Sequence, residues 1–216
     1  MPGTSNGRQY RGVSEVERQR ERKARLMEAG IRVFGEQGYH AATVKSICNT
    51  AGLTERYFYE SFTNREQLFR VVYEQLIEQL RSGIIQALSA ESRPEELAKL
   101  GLTVYFDLLK SDPLLARIVL VESTKVGGEM DEVWRSTTDR FSEVIRQFAP
   151  IFLKGAERKV DLDVLAAGLV GGTLNISMAW LYSGYKKPLE KVVEGCYLHF
   201  EAVRMYLQEK PDAKKR

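Results

Sequence analysis

Between positions 43 and 65 the sequence gathers hydroxyl, phenol and cationic side chains at short intervals: Thr43, Lys45, Thr54, Glu55, Arg56, Tyr57, Tyr59 and Arg65. Such a set can hydrogen-bond and pair charge with a polyanion. Arginine offers a planar fork that matches either phosphate or the O6 and N7 edge of guanine. Lysine, threonine and tyrosine donate to phosphate oxygens, and the positive end of a helix reinforces them. No nucleophile in the stretch is matched with a base. His40 and His199 are the only histidines, and Cys48 and Cys196 the only cysteines. Neither a metal centre of soft ligands nor a disulfide framework is expected, and no cofactor is implied. Cys48 reads as a buried packing residue rather than a redox switch.

Charge distribution points the same way. The net charge of the 216 residues is +3. Through Glu66 there are 11 basic and 8 acidic residues; from Gln67 onward there are 21 of each. The excess therefore sits in the first third, so a basic head is joined to a neutral body. Such a head suits a polyanionic partner. The alternative is a solvated, salt-bridged helix face. The N-terminus lacks an apolar signal segment, and the longest apolar candidate, Val164 to Tyr182, is interrupted by Gly and Asn. A soluble cytoplasmic protein with no membrane partner is expected.

These groups need elements to position them, and the periodicity supplies only helices. Residues 1–14 read as a flexible basic arm. A first helix runs to Glu36 or Gln37 with Ala24, Met27, Ile31 and Phe34 as its buried stripe, and Gly38 as a left-handed cap. Thr43 caps a second helix with an apolar face of Val44, Ile47, Cys48 and Ala51, which Gly52 stops. Thr54 caps a third, Glu55 to Phe62, with Phe58 and Phe62 inward. Asn64 caps a long fourth helix from Arg65 to about Leu88, striped by Leu68, Val72, Leu76 and Leu80. Further helices are predicted at 94–110, 113–124, 131–154, 161–183 and 188–208, with 126–129 as a loop and 211–216 as a charged tail. The chain reads as all-α: a helix-turn-helix head over 15–66 and a helical body over 67–210. The last helix of a helix-turn-helix presents its outer side to the DNA major groove.

The stretch from Arg25 to Leu68 resembles the DNA-binding module of TetR-family transcriptional regulators. The matching residues include Ala29, Phe34, Gly38, Tyr39, Thr43, Ile47, Ala51, Gly52, Leu53, Thr54, Tyr59, Phe62, Asn64 and Phe69. The resemblance implies a homodimer that binds double-stranded operator DNA as a repressor and releases it when a small molecule enters the C-terminal domain. Ala42, Arg56 and the pair Glu60–Ser61 depart from the usual pattern and leave the operator sequence open. Arg56 is expected to contact guanine or, equally, phosphate. Tyr57 can pack on a thymine methyl, Tyr59 is expected at a phosphate, and Glu60 restrains Arg56. Thr43, Lys45 and Arg65 are expected at phosphates.

In the body, Ala166, Ala167, Gly168, Gly171 and Gly172 permit close helix packing, expected across a dimer. Leu189, Val193, Cys196, Phe200 and Val203 form a second stripe. A pocket for a hydrophobic or amphipathic effector is expected from Tyr105, Phe106, Leu109, Phe141, Ile145, Met178 and Trp180, with Glu122 and Asn175 as polar anchors. Two other readings are a helical-bundle enzyme, for which no metal pattern or phosphate loop is present, and a nonspecific DNA-architectural protein.

Overall fold

The computed structural model describes residues 14–91, 93–128 and 130–209. Most of the predicted arm and all of the charged tail lie outside the described residues. Among the described residues nine α-helices follow in order: α1 Glu15–Gln37, α2 Val44–Ala51, α3 Glu55–Ser61, α4 Arg65–Ala90, α5 Leu97–Ser111, α6 Pro113–Leu120, α7 Met130–Leu153, α8 Leu162–Tyr182 and α9 Leu189–Glu209. Short 3₁₀ turns at Pro94–Glu96, Glu122–Lys125 and Ala156–Lys159 join them. No strand occurs among the described residues.

Local chemistry starts these helices where the sequence places their caps. Ser14 and Glu17 form a reciprocal capping box at α1, and Thr43 and Ser46 do so at α2. Asn64 accepts from the Gln67 amide at α4, and Asp112 from the Leu115 amide at α6. Gly52 ends α2 in the left-handed conformation that a side chain disfavours. Thr54 stands at the N-cap of α3, but its hydroxyl makes no capping bond.

The stripe of α1 differs from the one expected. Its buried residues are Leu26, Ala29, Gly30, Val33, Phe34 and Gly35, while Ala24 is exposed and Met27 and Ile31 are half-buried. The helix is clasped on two sides, by α2–α3 and by α4–α6, so its buried face is wider than a single row. Gly38 has a positive φ of 85° but an extended ψ of 159°, so it turns the chain sharply without forming the left-handed cap.

One core runs from head to body. Phe34, Tyr39 and Phe69 meet edge-on, and Phe58 and Phe62 close the head from below. The stripe Leu68, Val72, Leu76 and Leu80 of α4 is fully buried as expected. The helix continues two residues beyond Leu88, so the same rigid rod belongs to head and body. Helices α5 and α7 pack against its body end, and α9 and α8 pack in turn on them.

Helix α8 is continuous over 21 residues. The Gly and Asn residues do not interrupt it, and by length and composition alone it could cross a membrane. Helix hydrogen bonding tolerates glycine at about 1 kcal/mol each relative to alanine, a cost that packing offsets.

Candidate DNA-reading surface and interior cavity

The DNA-reading candidates occupy one end of the molecule. Phe58 is completely buried, which rotates Glu55, Arg56, Tyr59 and Glu60 of α3 outward. The Arg56 side chain is 84% exposed, and its Nε–H donates to Glu60 Oε1 at 3.1 Å. Glu60 Oε2 also lies 4.0 Å from Arg22 of α1. The guanidinium of Arg22 stacks over the half-buried Tyr57 ring at 4.5 Å, so α1 braces the recognition helix. Tyr59, Thr43, Lys45, Thr54 and Glu55 are exposed beside it. The Thr43 oxygen accepts from the Ser46 amide, which leaves its hydroxyl hydrogen for an outside acceptor.

Two cations of the basic head turn inward instead. Arg25 donates to the carbonyl oxygens of Ala51 and Gly52, the otherwise unpaired end of α2. Arg65, expected at a phosphate, donates to the carbonyls of Ala42 and His40 and lies 4.3 Å above the Tyr39 ring. Both bonds come from one nitrogen, Nη1, and that interior geometry competes with any phosphate. Charge counting could not reveal this, because carbonyl acceptors are invisible in a composition.

In the body, a cavity of about 140 Å³ lies between the far ends of α4, α5, α7, α8 and α9. Of the residues expected there, Tyr105, Phe141 and Ile145 line it. Phe106, Leu109, Glu122, Asn175, Met178 and Trp180 do not. Phe106 and Trp180 meet edge-on inside the core, and the Trp180 indole N–H is satisfied by the Lys187 carbonyl. Leu109 is buried next to them, and Met178 is half-buried against the same core. Asn175 is on the exposed side of α8. The walls that sequence reasoning missed include Leu88, Leu102, Ala149, Leu165, Leu169 and Phe200. They are ordinary apolar stripe residues, and only the convergence of five helices singles them out. Tyr105 and Thr173 supply the hydroxyls of the lining; burial raises the Tyr105 pKa and keeps the phenol neutral, against the opposing pull of the hydrogen bond that Ser177 Oγ–H donates to it.

Glu122, expected as a ligand anchor, sits 1% exposed where the head meets the body. Its Oε2 accepts from the Tyr39 amide at 2.8 Å, and its Oε1 from Arg117 at 3.2 Å and Lys125 at 3.0 Å. Burial pushes its pKa up, but the Tyr39 amide, Lys125 and Arg117 together hold it below the ordinary value of 4.5. A depressed carboxylate pKa contributes stability that is present above the ordinary value and lost as pH falls through the folded one. The stability gap between the parent protein and Glu122→Gln should therefore be full at pH 7 and shrink below about pH 4.5. Paired denaturant titrations from pH 7 to pH 3 measure this. A gap that stays constant over that range would show that the carboxylate charge contributes nothing.

The outer face of α8 carries Val164, Gly168, Gly171, Gly172, Asn175 and Tyr182, and the adjoining face of α9 carries Leu198 and Met205. Val164 is 69%, Tyr182 71% and Leu198 62% exposed. Exposed apolar and small residues thus share the outer side of α8, with α9 packed beside it.

Residues 26–72 match the family model described as bacterial regulatory proteins, tetR family. The HTH-type transcriptional activator FasR of Mycolicibacterium smegmatis is 24% identical over 179 residues, covering 81% of this chain and 79% of that protein. The fatty acid metabolism regulator protein of Bacillus subtilis is 22% identical, covering 81% and 91%. The crystal structure of the transcriptional regulator FadR from Bacillus subtilis in complex with stearoyl-CoA superposes with a TM-score of 0.68 at 20% identity, covering 80% of this chain and 96% of that one.

Proposed function

We propose that the chain is a TetR-family transcriptional regulator, a homodimeric cytoplasmic repressor whose hold on operator DNA is released by a fatty acyl ligand. One observation carries the reading. Helix α4 begins at Arg65 in the head and contributes Ile84 and Leu88 to the cavity wall. A displacement at the cavity end of this rod moves the head at the other end.

The cavity chemistry selects the ligand class. Its walls are almost entirely hydrocarbon, which suits an alkyl chain and rejects a charged or sugar-like group. A dry apolar cavity of about 150 Å³ accepts a six-carbon ring. A longer acyl chain exceeds this volume and fits better in a state where α4, α5, α7 or α8 stands further apart. The ligand then favours the expanded state over the resting one, as any effector must to shift an equilibrium. The similarity to regulators of fatty acid metabolism supports the same class.

The exposed α8–α9 face supports the dimer. Two heads then read two half-sites about 34–36 Å apart, or a multiple of that distance. On each head, Arg56, Tyr57 and Tyr59 are assigned to base and phosphate contacts, with Thr43, Lys45, Thr54 and Glu55 flanking them. Arg56→Ala should relax base preference at its position by about 1–3 kcal/mol while nonspecific affinity changes little. Competition among single-base operator variants measures this; uniform weakening across all variants would reassign Arg56 to phosphate.

The test of the whole reading is operator selection from randomised duplexes, followed by titration with acyl-CoA thioesters from four to eighteen carbons. A short palindrome should emerge, and thioesters of one chain-length range should weaken its binding. Undiminished binding with every thioester would leave the body as a dimerisation scaffold alone. Selection without sequence preference would favour an architectural protein.

A further inference from the structure

The joint between head and body is built around a carboxylate that is 1% exposed, with Arg117 and Lys125 reaching it from the surface. At the end of α1, Gly35 lies against Leu114 of α6 so closely that an added Cβ would come within 2.7 Å of its side chain. Three residues later Gly38 adopts a positive φ, and a Cβ there would lie 3.2 Å from Glu122 Oε2. Backbone of the head is thus pressed directly onto a buried carboxylate. That carboxylate accepts the Tyr39 N–H, while Arg117 spans from Glu122 to the Glu36 carbonyl at 3.1 Å. Lys125 completes the charge balance.

The contacts continue into the head. The Tyr39 ring lies under the Arg65 guanidinium, and Arg65 holds the carbonyls of His40 and Ala42. The next residue, Thr43, is the N-cap of α2. From Glu122 to the DNA-facing end of α2 every link is a hydrogen bond or a stacked cation. On the body side, α5 lines the cavity with Leu97, Leu102 and Tyr105 and passes through Asp112 straight into α6.

We propose that Glu122 is a positioning residue: it clasps the head onto α6 through Tyr39 and so sets where α2 and α3 stand for operator reading. The clasp extends the function proposed above by a second route from cavity to head, running through α5 and α6 beside the α4 rod. A buried carboxylate suits this task because it has one favourable arrangement, in which all its partners are met. Tilting α6 strands the charge, so the joint is held or broken rather than gradually deformed.

The experiment compares the full-length parent, Glu122→Gln, and Ser177→Ala as a control. Ser177 is equally buried but hydrogen-bonds Tyr105 inside the body. Hydrogen exchange is first measured on DNA-free protein. The Tyr39 amide should exchange at least tenfold faster in Glu122→Gln, with α8 and α9 unchanged and Ser177→Ala like the parent. Affinities are then measured for a duplex carrying two selected half-sites and for one carrying a single half-site. Glu122→Gln should bind the paired site about tenfold more weakly and the single site within twofold of the parent. Unchanged Tyr39 protection, equal loss on both duplexes, or the same pattern in Ser177→Ala would overturn the proposal. If the parent selects no paired site, the regulator reading fails, while the exchange result still decides the clasp. Should Glu122→Gln fail to fold, Glu122→Asp is read by the same criteria, since it keeps the charge beside Arg117 and Lys125 but shortens the reach to the Tyr39 amide.

Discussion

Gly172→Leu turns the dimer into a monomer at low micromolar concentration and lowers operator affinity by about 10²–10⁴, the advantage that linking two binding modules provides. The same outcome is expected of Gly168→Leu. Both glycines are exposed on α8, and a Cβ added at either meets nothing within 4 Å of its own chain. Leucine therefore causes no clash inside the subunit. It also favours a helix interior over glycine by close to 1 kcal/mol. Each subunit should thus be as stable as before or slightly more so, and any loss must arise from a second copy. Small residues on adjoining turns let two helix backbones approach closely, and four added carbons on such a seam force them apart. Sedimentation gives the assembly state, and binding to paired and single half-sites gives the consequence. Single-site affinity should survive. An intact dimer in both variants would place the contact on another face.

A second large effect is expected from filling the cavity. Ala149 is buried in its wall on α7. Ala149→Phe adds a six-carbon ring to a space of about 140 Å³, close to the size that one such ring occupies. An acyl chain then has nowhere to enter, and thioester binding should weaken at least a hundredfold. Operator binding should no longer respond to any chain length. Overpacking costs about 1–3 kcal/mol of stability where the ring fits imperfectly, so the melting temperature should drop modestly while the fold persists. Isothermal titration with the thioester that acts on the parent, alongside operator binding, separates the two effects. An unaltered ligand response in Ala149→Phe would locate the effector outside this cavity.

The two substitutions probe parts of the molecule that were differently legible. The head follows from local signals. Thr43, Gly52 and Asn64 set helix boundaries through bonds spanning three or four residues, and Phe58 and Phe62 orient α3 by simple periodicity. The glycines of α8 were equally legible as a row, which the structure leaves on the exposed side of the helix. The helix itself was harder to assign. It is apolar nearly all round, so periodicity cannot say which side faces the body; burial of Ala166, Val170, Ser177 and Trp180 decides it.

What the sequence by itself determined, then, is everything specified by neighbours along the chain: an all-α plan, the helix-turn-helix, its exposed Arg56 and Tyr59, and the long α4. What only the tertiary structure decided are contacts between residues remote in sequence. Glu122 meets Tyr39 across 83 positions, and Arg25 meets Ala51 across 26. A carboxylate or guanidinium carries no mark of whether it will face water, a ligand or a backbone amide. Its surroundings are set by how helices cross, and crossing is governed by packing summed over many side chains. The cavity shows the same limit. Tyr105, Phe141 and Ile145 line it while Phe106 and Trp180 do not, because a step of one residue along a helix turns a side chain by about 100° and only the assembled bundle shows which direction is left empty.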